Sequence, residues 1–170
     1  MKKIMIVGPA GSGKSTLSRR LSETLSLPLY HLDNIWWNPD RTHVSREQFD
    51  ERLNRLLEKD EWIIDGDYAR TYEPRMQACD TVIFLNYPLE VCLQGAQERV
   101  GRPRDDIPWA DETYDADFHQ RIISWFDDRL PRLQALLEKY RDSRNVIVLD
   151  NRKEADELIA ALQKEREKSA

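Results

Sequence analysis

The segment Gly8-Pro9-Ala10-Gly11-Ser12-Gly13-Lys14-Ser15 matches the pattern G-x-x-x-x-G-K-[ST] and directly follows the apolar stretch 4–7. This pattern is typical of a loop that holds a triphosphate, because glycines let the backbone approach the phosphates and the following helix directs its N–H groups at them. Lys14 is predicted to reach the β- and γ-phosphates, and Ser15 to bind Mg²⁺. The alternative is a glycine-rich turn between a strand and a helix. The residues predicted to hold the nucleotide here are Gly8, Pro9, Ala10, Gly11, Ser12, Gly13, Lys14, Ser15 and Thr16.

Two aspartates follow apolar stretches and are candidates for roles in phosphoryl transfer. Asp65 comes directly after Trp62-Ile63-Ile64 and is the predicted second residue of the Mg²⁺ site. The alternative for Asp65 is a structural role in the turn before Gly66. Asp33 follows the stretch 29–32 and is predicted to accept a proton from an acceptor hydroxyl or to orient the acceptor. The alternative for Asp33 is a cap of the next segment.

Arg70 and Arg75 are candidates for holding the acceptor, since they follow the Asp65 strand and a guanidinium group binds a phosphate or a carboxylate through two hydrogen bonds. For each arginine the alternative is a solvated surface position. Trp36 lies close after Asp33 and is predicted either to cover the acceptor by stacking or to anchor its segment in the core.

Three more arginines, Arg99, Arg102 and Arg104, flank Gly101 and are predicted to be catalytic residues of a lid. Such a lid would close over the phosphates, exclude water and neutralise the charge that develops during transfer. The alternative is that these arginines pair with the acidic residues that follow them from position 105 onward, among them Asp111 and Glu112.

The elements that position these residues follow from the apolar periodicity. The predicted helices run from the phosphate loop to Leu25, from residue 45 towards residue 59, over about 89–100, over about 114–140 and over 154–168. Ser45 and Gln48 form a capping box at the start of the second helix. Pro131 is expected to kink or restart the long helix over 114–140. Alternating strands and helices predict an α/β fold of three layers, in which a parallel five-stranded sheet is covered on both faces and binds ligands beyond the carboxyl ends of its strands. The predicted strands are 4–7, 29–32, 62–64, 81–85 and 146–149.

Composition limits the classes of function. The chain of 170 residues suits one domain, and 40% hydrophobic residues are enough for a folded core despite a mean hydropathy of -0.72. A net charge of -5 argues against binding to a broad surface of duplex nucleic acid. No apolar run approaches the length of a membrane span, so we expect a cytoplasmic protein, as a monomer or a weak homodimer. Cys79 and Cys92 are expected to be reduced thiols.

The motifs together resemble those of the adenylate-kinase-like P-loop kinases, most closely the group labelled topology modulation (FlaR-like) proteins. The resemblance covers nearly the whole chain, and it implies one P-loop kinase domain over 1–170, ATP and Mg²⁺ as cofactors, an acceptor-binding cap over 34–60 and a lid over 99–117. It also implies that Asn151 and Arg152 lie beside the adenine. The segments that carry the resemblance are 8–15, 31–33, 62–66, 84–88, 99–104 and 148–152.

The acceptor segments depart from adenylate kinase. Where that family has Asp-Gly-Phe-Pro-Arg-Thr, this chain has Asp65-Gly66-Asp67-Tyr68-Ala69-Arg70-Thr71, with one extra residue before the arginine. The Thr-Gly-Asp sequence typical of AMP sites is replaced by Leu32-Asp33-Asn34-Ile35-Trp36. A hydroxyl acceptor therefore suits these segments at least as well as a phosphate.

Two classes of function follow. The first is an ATP-dependent phosphotransferase that moves the γ-phosphate to a small acceptor: a nucleoside, a nucleotide or another small metabolite. The second is a regulatory ATPase or a nucleic-acid-associated switch that has no small-molecule acceptor. A GTPase is not expected, because the chain contains neither Asn-Lys-x-Asp nor Asp-x-x-Gly.

Overall fold

A parallel five-stranded sheet forms the centre of the computed structural model, which describes residues 1–109 and 113–169. The strand order is β2-β3-β1-β4-β5, so the strand that precedes the phosphate loop lies in the middle. This arrangement confirms the predicted α/β class. The strands are β1 (Lys3–Val7), β2 (Leu29–His31), β3 (Trp62–Asp65), β4 (Thr81–Leu85) and β5 (Asn145–Leu149).

Helices cover both faces of the sheet, because side chains alternate along each strand. Ile4 and Ile6 of β1 pack on one face with residues of α1, α5 and α8. Met5 and Val7 pack on the other face with residues of α3, α4, α6 and α7. The helices are α1 (Lys14–Leu25), α2 (Leu32–Trp36), α3 (Arg46–Leu57), α4 (Tyr72–Ala78), α5 (Leu89–Glu98), α6 (Ala116–Asp128), α7 (Leu130–Tyr140) and α8 (Arg152–Ser169).

Some element boundaries differ from the sequence predictions. Leu32 was assigned to the second strand, but it begins the short helix α2, which therefore carries Asp33 in its first turn. Pro131 restarts the long helix rather than kinking it, since α6 ends at Asp128 and Pro131 lies in the first turn of α7. The Ser45/Gln48 capping box is present at the start of α3. The helix α4 was not predicted.

The register of the sheet brings the candidate residues to one edge. Ile6 of β1 lies beside Asp65 of β3, and His31 of β2 lies on the other side of Asp65. The carboxyl ends of three neighbouring strands therefore meet below the phosphate loop, as expected for a ligand site of an open α/β sheet.

Two further sequence expectations concern features away from this edge. Cys79 and Cys92 are both free and buried, and burial raises the pKa of each thiol to about 11. In the described part of the chain, no helix has both the length and the apolar composition that a membrane crossing requires.

Candidate active site

An open cleft of about 1210 Å³ lies at the carboxyl edge of the sheet. It is lined by the phosphate loop, by the segments after β2 and β3, and by the segment that follows α5. The structure therefore brings most of the predicted site residues together, although they come from distant parts of the sequence. The predicted residues that line the cleft are Ala10, Gly11, Ser12, Gly13, Lys14, Ser15, Thr16, Asp33, Trp36, Asp65, Arg70, Arg99, Arg102, Arg104 and Arg152.

The phosphate loop connects β1 to α1 and has two features of an anion cradle. Gly13, at the N-cap of α1, has φ +92°, a left-handed conformation that favours glycine. Ser12 Oγ is buried and has no hydrogen-bond partner among the described residues. A buried hydroxyl without a partner is costly, and a phosphate oxygen would satisfy it.

Lys14 folds back over the loop, where its Nζ donates a hydrogen bond to Pro9 O at 2.8 Å. Burial lowers the pKa of Lys14, whereas the charges of Asp67, Asp65 and Asp33 act in the opposite direction. The ammonium group is therefore held inside the cleft among carboxylates, where it can interact with a phosphate.

The phosphate loop also rests on α5 through a glycine that the sequence analysis did not select. A Cβ added to Gly95 would lie 2.2 Å from Gly11 O, and a Cβ added to Gly11 would lie 1.9 Å from Cys92 O. Only glycines permit this approach of two backbones. The signal for it was a glycine in the interior of a predicted helix, a position that costs stability unless close packing requires it.

Asp65 lies at the end of β3 in a buried hydrogen-bond network. Its Oδ2 accepts from Ser18 Oγ at 2.9 Å, and its Oδ1 is 2.8 Å from His31 Nδ1. Burial opposes the protonation of His31, but the hydrogen bond and the charge of Asp65 outweigh it and raise the pKa of His31. The network links the ends of β2 and β3 to α1, so it fixes the position of Asp65 below the phosphate loop. His31 received no role in the sequence analysis.

Asp33 is held by a tyrosine from the segment after β3. Tyr68 donates its hydroxyl hydrogen bond to Asp33 Oδ1 at 2.7 Å. Burial raises the pKa of Asp33, while the hydrogen bond from Tyr68 and the charge of Lys14 oppose that effect. Burial and the neighbouring Asp33 charge both raise the pKa of Tyr68, so its hydroxyl stays protonated as a donor. Asp33 was predicted from the sequence but Tyr68 was not, because the two residues are 35 positions apart.

Aromatic rings line the cleft beside Asp33. Trp36 stacks on His43, with ring centroids 4.4 Å apart and an interplanar angle of 9°. Trp37 and Trp109 pack edge to face, with ring centroids 5.5 Å apart. Trp36 thus has a packing partner and also lines the cleft, and the stacking of an acceptor on it stays a prediction.

The two arginines predicted to bind the acceptor lie in different surroundings. Arg70 lines the cleft and pairs with Asp50 of α3, with Nη2 and Oδ1 2.7 Å apart. Arg75 is fully buried and does not line the cleft; its Nη1 donates to Gly66 O at 3.0 Å. Burial lowers the pKa of Arg75 to about 10. The structure therefore places Arg75 outside the cleft lining, where its guanidinium group supports the backbone after β3, and a role for it in holding the acceptor stays a prediction.

The segment after α5 carries the three predicted lid arginines. The Arg99 guanidinium lies 5.3 Å from the centre of the Phe118 ring, and Arg102 lines the cleft. Arg104 instead donates to both carboxylate oxygens of Asp106, at 3.0 and 2.8 Å. Pairing with a following aspartate, the alternative considered above, therefore holds for Arg104. Of the predicted lid over 99–117, positions 110–112, which include Asp111 and Glu112, lie outside the described residues.

The two residues predicted beside the adenine, Asn151 and Arg152, differ in whether they line the cleft. Asn151 does not line the cleft, because its Oδ1 accepts from Glu154 N at 3.0 Å and so caps the start of α8. The carboxylate of Glu154 accepts in turn from Asp150 N at 2.7 Å. Arg152 lines the cleft, with its Nη2 4.0 Å from Glu98 Oε2. Of the two, Arg152 therefore lines the cleft and Asn151 does not, and their place beside the adenine stays a prediction.

Asp67 and Arg129 line the cleft as a pair that the sequence analysis did not identify. Arg129 Nη1 donates to Asp67 Oδ2 at 2.6 Å and to Asp67 O at 3.0 Å, and Tyr72 also donates to the Asp67 carboxylate. Burial raises the pKa of Asp67, against the charges of Lys14 and Arg129. The pair connects the segment after β3 to the junction of α6 and α7.

Comparisons with known proteins agree with this geometry. The family model described as AAA domain matches residues 4–117. Shikimate kinase 1 from Enterobacter sp. (strain 638) is 26% identical over an alignment that covers 60% of this chain and 68% of the relative. Shikimate kinase 1 from Escherichia coli (strain K12 / DH10B) is 27% identical with the same coverage.

Solved structures share the fold along nearly the whole chain. Shikimate kinase from Acinetobacter baumannii in complex with shikimate superimposes with a TM-score of 0.60 at 21% identity, covering 99% of this chain and 94% of that chain. A gluconokinase from Sinorhizobium meliloti 1021 superimposes with a TM-score of 0.54 at 14% identity, covering 99% and 97%. The fold is that of the P-loop kinases.

Proposed function

Because the chain belongs to the AAA domain family and has a P-loop kinase fold, we propose that it is an ATP-dependent phosphotransferase that moves the γ-phosphate to a hydroxyl group of a small metabolite. The observation that carries this proposal is the position of Asp33. Its carboxylate is held by Tyr68 in the same cleft as the phosphate loop. A positioned carboxylate opposite a phosphate loop is what proton removal from an acceptor hydroxyl requires.

The residues of the phosphate loop fit ATP. The buried Ser12 hydroxyl, which has no partner among the described residues, and the partly buried Lys14 ammonium group are each suited to a phosphate oxygen. Ser15 and Asp65 offer oxygen atoms near the start of α1, the ligand type that Mg²⁺ takes. Bound Mg²⁺ would neutralise charge on the phosphates. Arg99, Arg102 and Arg152 line the same cleft and would add positive charge around the transferred group.

The acceptor side suits a hydroxylated small molecule. Asp33 would accept the hydroxyl proton, while Trp36 and Arg70 line the space around it. The named relatives support this class, since one is a shikimate kinase in complex with shikimate and another is a gluconokinase. Nothing in the acidic composition favours nucleic acid as the acceptor. Membership of the topology modulation group and a cytoplasmic location stay predictions.

A panel of acceptors tests this function. The protein is incubated with Mg²⁺ and ATP labelled in the γ-phosphate, together with hydroxylated carboxylic acids, sugars, nucleosides and nucleotides in separate reactions. We expect label to appear in one chemical class of acceptor, and ADP release to rise only in its presence. Release of ADP that no small molecule stimulates, but that nucleic acid does, would identify a regulatory ATPase and reject the phosphotransferase.

A further inference from the structure

Asp106 places a buried carboxylate against the phosphate loop. Its Oδ2 accepts a hydrogen bond from Ser15 Oγ at 2.7 Å, although the two residues are 91 positions apart. Asp106 is only 7% exposed, whereas the side chain of the preceding Asp105 is 75% exposed and pairs with Arg19. One of two adjacent aspartates is therefore directed into the site and the other onto the surface.

The carboxylate of Asp106 is fixed in place and kept charged. Arg104 donates to both of its oxygens, and the two side chains are about equally buried, with 11% and 10% exposed. Removing a carboxylate from water is expensive, and a single serine hydroxyl returns little of that cost. Arg104 offsets the charge and orients the carboxylate, as residues behind a metal ligand do.

The spacing of the two oxygens matches a shared metal ion. Neighbouring ligands of octahedral Mg²⁺ at 2.0–2.1 Å from the ion are about 2.9 Å from each other. Ser15 Oγ and Asp106 Oδ2 are 2.7 Å apart, so both could bind one ion after a shift of a few tenths of an ångström. Within the described residues, no group of three or more His, Cys, Asp or Glu side chains could hold a metal alone. Phosphate oxygens of the nucleotide would complete the ligand set.

We propose that Asp106, carried by the segment after α5, is a ligand of the nucleotide-bound Mg²⁺ together with Ser15. This inference rests on the proposed function, because it requires a nucleotide in the phosphate loop. Asp106 lies in the same segment as Arg99 and Arg102, so metal binding would also hold these arginines over the phosphates.

The test is nucleotide binding, which needs neither an acceptor nor turnover. Affinity for ADP is measured by calorimetry with Mg²⁺ and with a chelator, for the unaltered protein, for Asp106→Asn and for Asp105→Asn. We expect Mg²⁺ to raise the ADP affinity of the unaltered protein and of Asp105→Asn. In Asp106→Asn, the factor by which Mg²⁺ raises ADP affinity should be smaller by about tenfold or more. Circular dichroism melts of each variant establish that it is folded.

A second variant keeps the test informative if Asp106→Asn does not fold. Asp106→Cys replaces the oxygen ligand by a thiolate, which favours softer metals than Mg²⁺. Its ADP affinity should be low with Mg²⁺ and restored by Cd²⁺, whereas Asp105→Cys, which keeps Asp106, should bind ADP with Mg²⁺ as the unaltered protein does.

The possible results separate the two proposals. An unaltered protein that binds no ADP would reject the proposed function itself. If it shows Mg²⁺-dependent binding and Asp106→Asn shows the same Mg²⁺ effect, only the role of Asp106 is wrong. Tighter binding of MgADP by Asp106→Asn would mean that Asp106 competes with the ion instead of binding it, which also overturns the inference.

Discussion

The nucleotide end of the cleft is centred on one continuous segment, residues 8–16 between β1 and α1, to which other segments add single side chains, whereas the proposed acceptor end has no such continuous segment and is assembled from distant parts of the chain. The phosphate loop rests on the helix interior at Gly95 and lies above the buried Asp65 network. At the acceptor end, Asp33 depends on Tyr68, and Arg70 is held by an exposed ion pair with Asp50.

This difference between the two ends predicts which step of the reaction a substitution at each end affects. Changes in the nucleotide end should reduce transfer to every acceptor alike, because they act on the common phosphate donor. Changes in the acceptor end should alter catalysis and pH dependence while nucleotide binding persists. Exposed ion pairs contribute little stability, so the Arg70–Asp50 pair can change in sequence at low cost to the fold.

The largest effect is expected for Lys14→Ala. The only hydrogen bond described for Lys14 Nζ is to Pro9 O, so removal should spare the fold but delete the positive charge at the transferred phosphate. We expect kcat to fall by about 10³-fold or more with every acceptor. Phosphate transfer and a thermal melt are the measurements, with the exposed Lys164→Ala as the matched control. Unchanged turnover in Lys14→Ala would refute the nucleotide assignment.

Asp33→Asn should separate the two ends. The amide keeps the size of the side chain and can still hydrogen-bond to Tyr68, but it cannot take a proton from an acceptor hydroxyl. We expect transfer to fall by about 10²-fold while the affinity for ADP stays within twofold. The control is Asp40→Asn in the exposed turn before α3. A variant that loses ADP affinity but retains transfer would place Asp33 on the nucleotide side.

The same difference explains which features were predictable from the sequence. The phosphate loop and the sheet were predicted because their residues are consecutive or repeat with a fixed period. Asp65 was placed correctly at a strand end, since an apolar stretch followed by Asp-Gly indicates where a buried strand stops. These signals are local in the sequence, so they can be recognised without knowledge of tertiary contacts.

Features that depend on contacts between distant segments were not predictable in this way. Arg75 was predicted to hold the acceptor, and the structure directs it from α4 towards the carbonyl of Gly66. Tyr68 and Asp106 reach Asp33 and Ser15 across 35 and 91 positions. The sequence contains these residues but no pattern that pairs them, because the pairing depends on how the segments after β3 and α5 fold over the sheet edge.

Gly95→Ala should produce an intermediate effect at the nucleotide end. The new Cβ would lie 2.2 Å from Gly11 O, so the phosphate loop or α5 has to move. Overpacking of this kind costs about 1–3 kcal/mol, and we expect roughly tenfold weaker ADP binding. Calorimetry measures the affinity, with Gln97→Ala on the exposed side of the same helix as control. Normal ADP affinity in Gly95→Ala would show that the contact does not shape the loop.

Tyr68→Phe should give the smallest effect, confined to the acceptor end and to low pH. The Tyr68 hydroxyl stabilises the charged form of Asp33 and so lowers its pKa, against the burial that raises it. Without that hydrogen bond the pKa of Asp33 rises further, and a larger share of the enzyme holds Asp33 protonated as pH falls. The acidic limb of the kcat/KM profile should therefore move to higher pH, with transfer approaching that of the unaltered protein at the alkaline end.

The control is Tyr30→Phe, because the Tyr30 hydroxyl contacts Lys59 away from the cleft, and this variant should leave the profile unchanged. An acidic limb that moves to lower pH in Tyr68→Phe, or does not move, would show that Asp33 is not the group whose ionisation controls transfer.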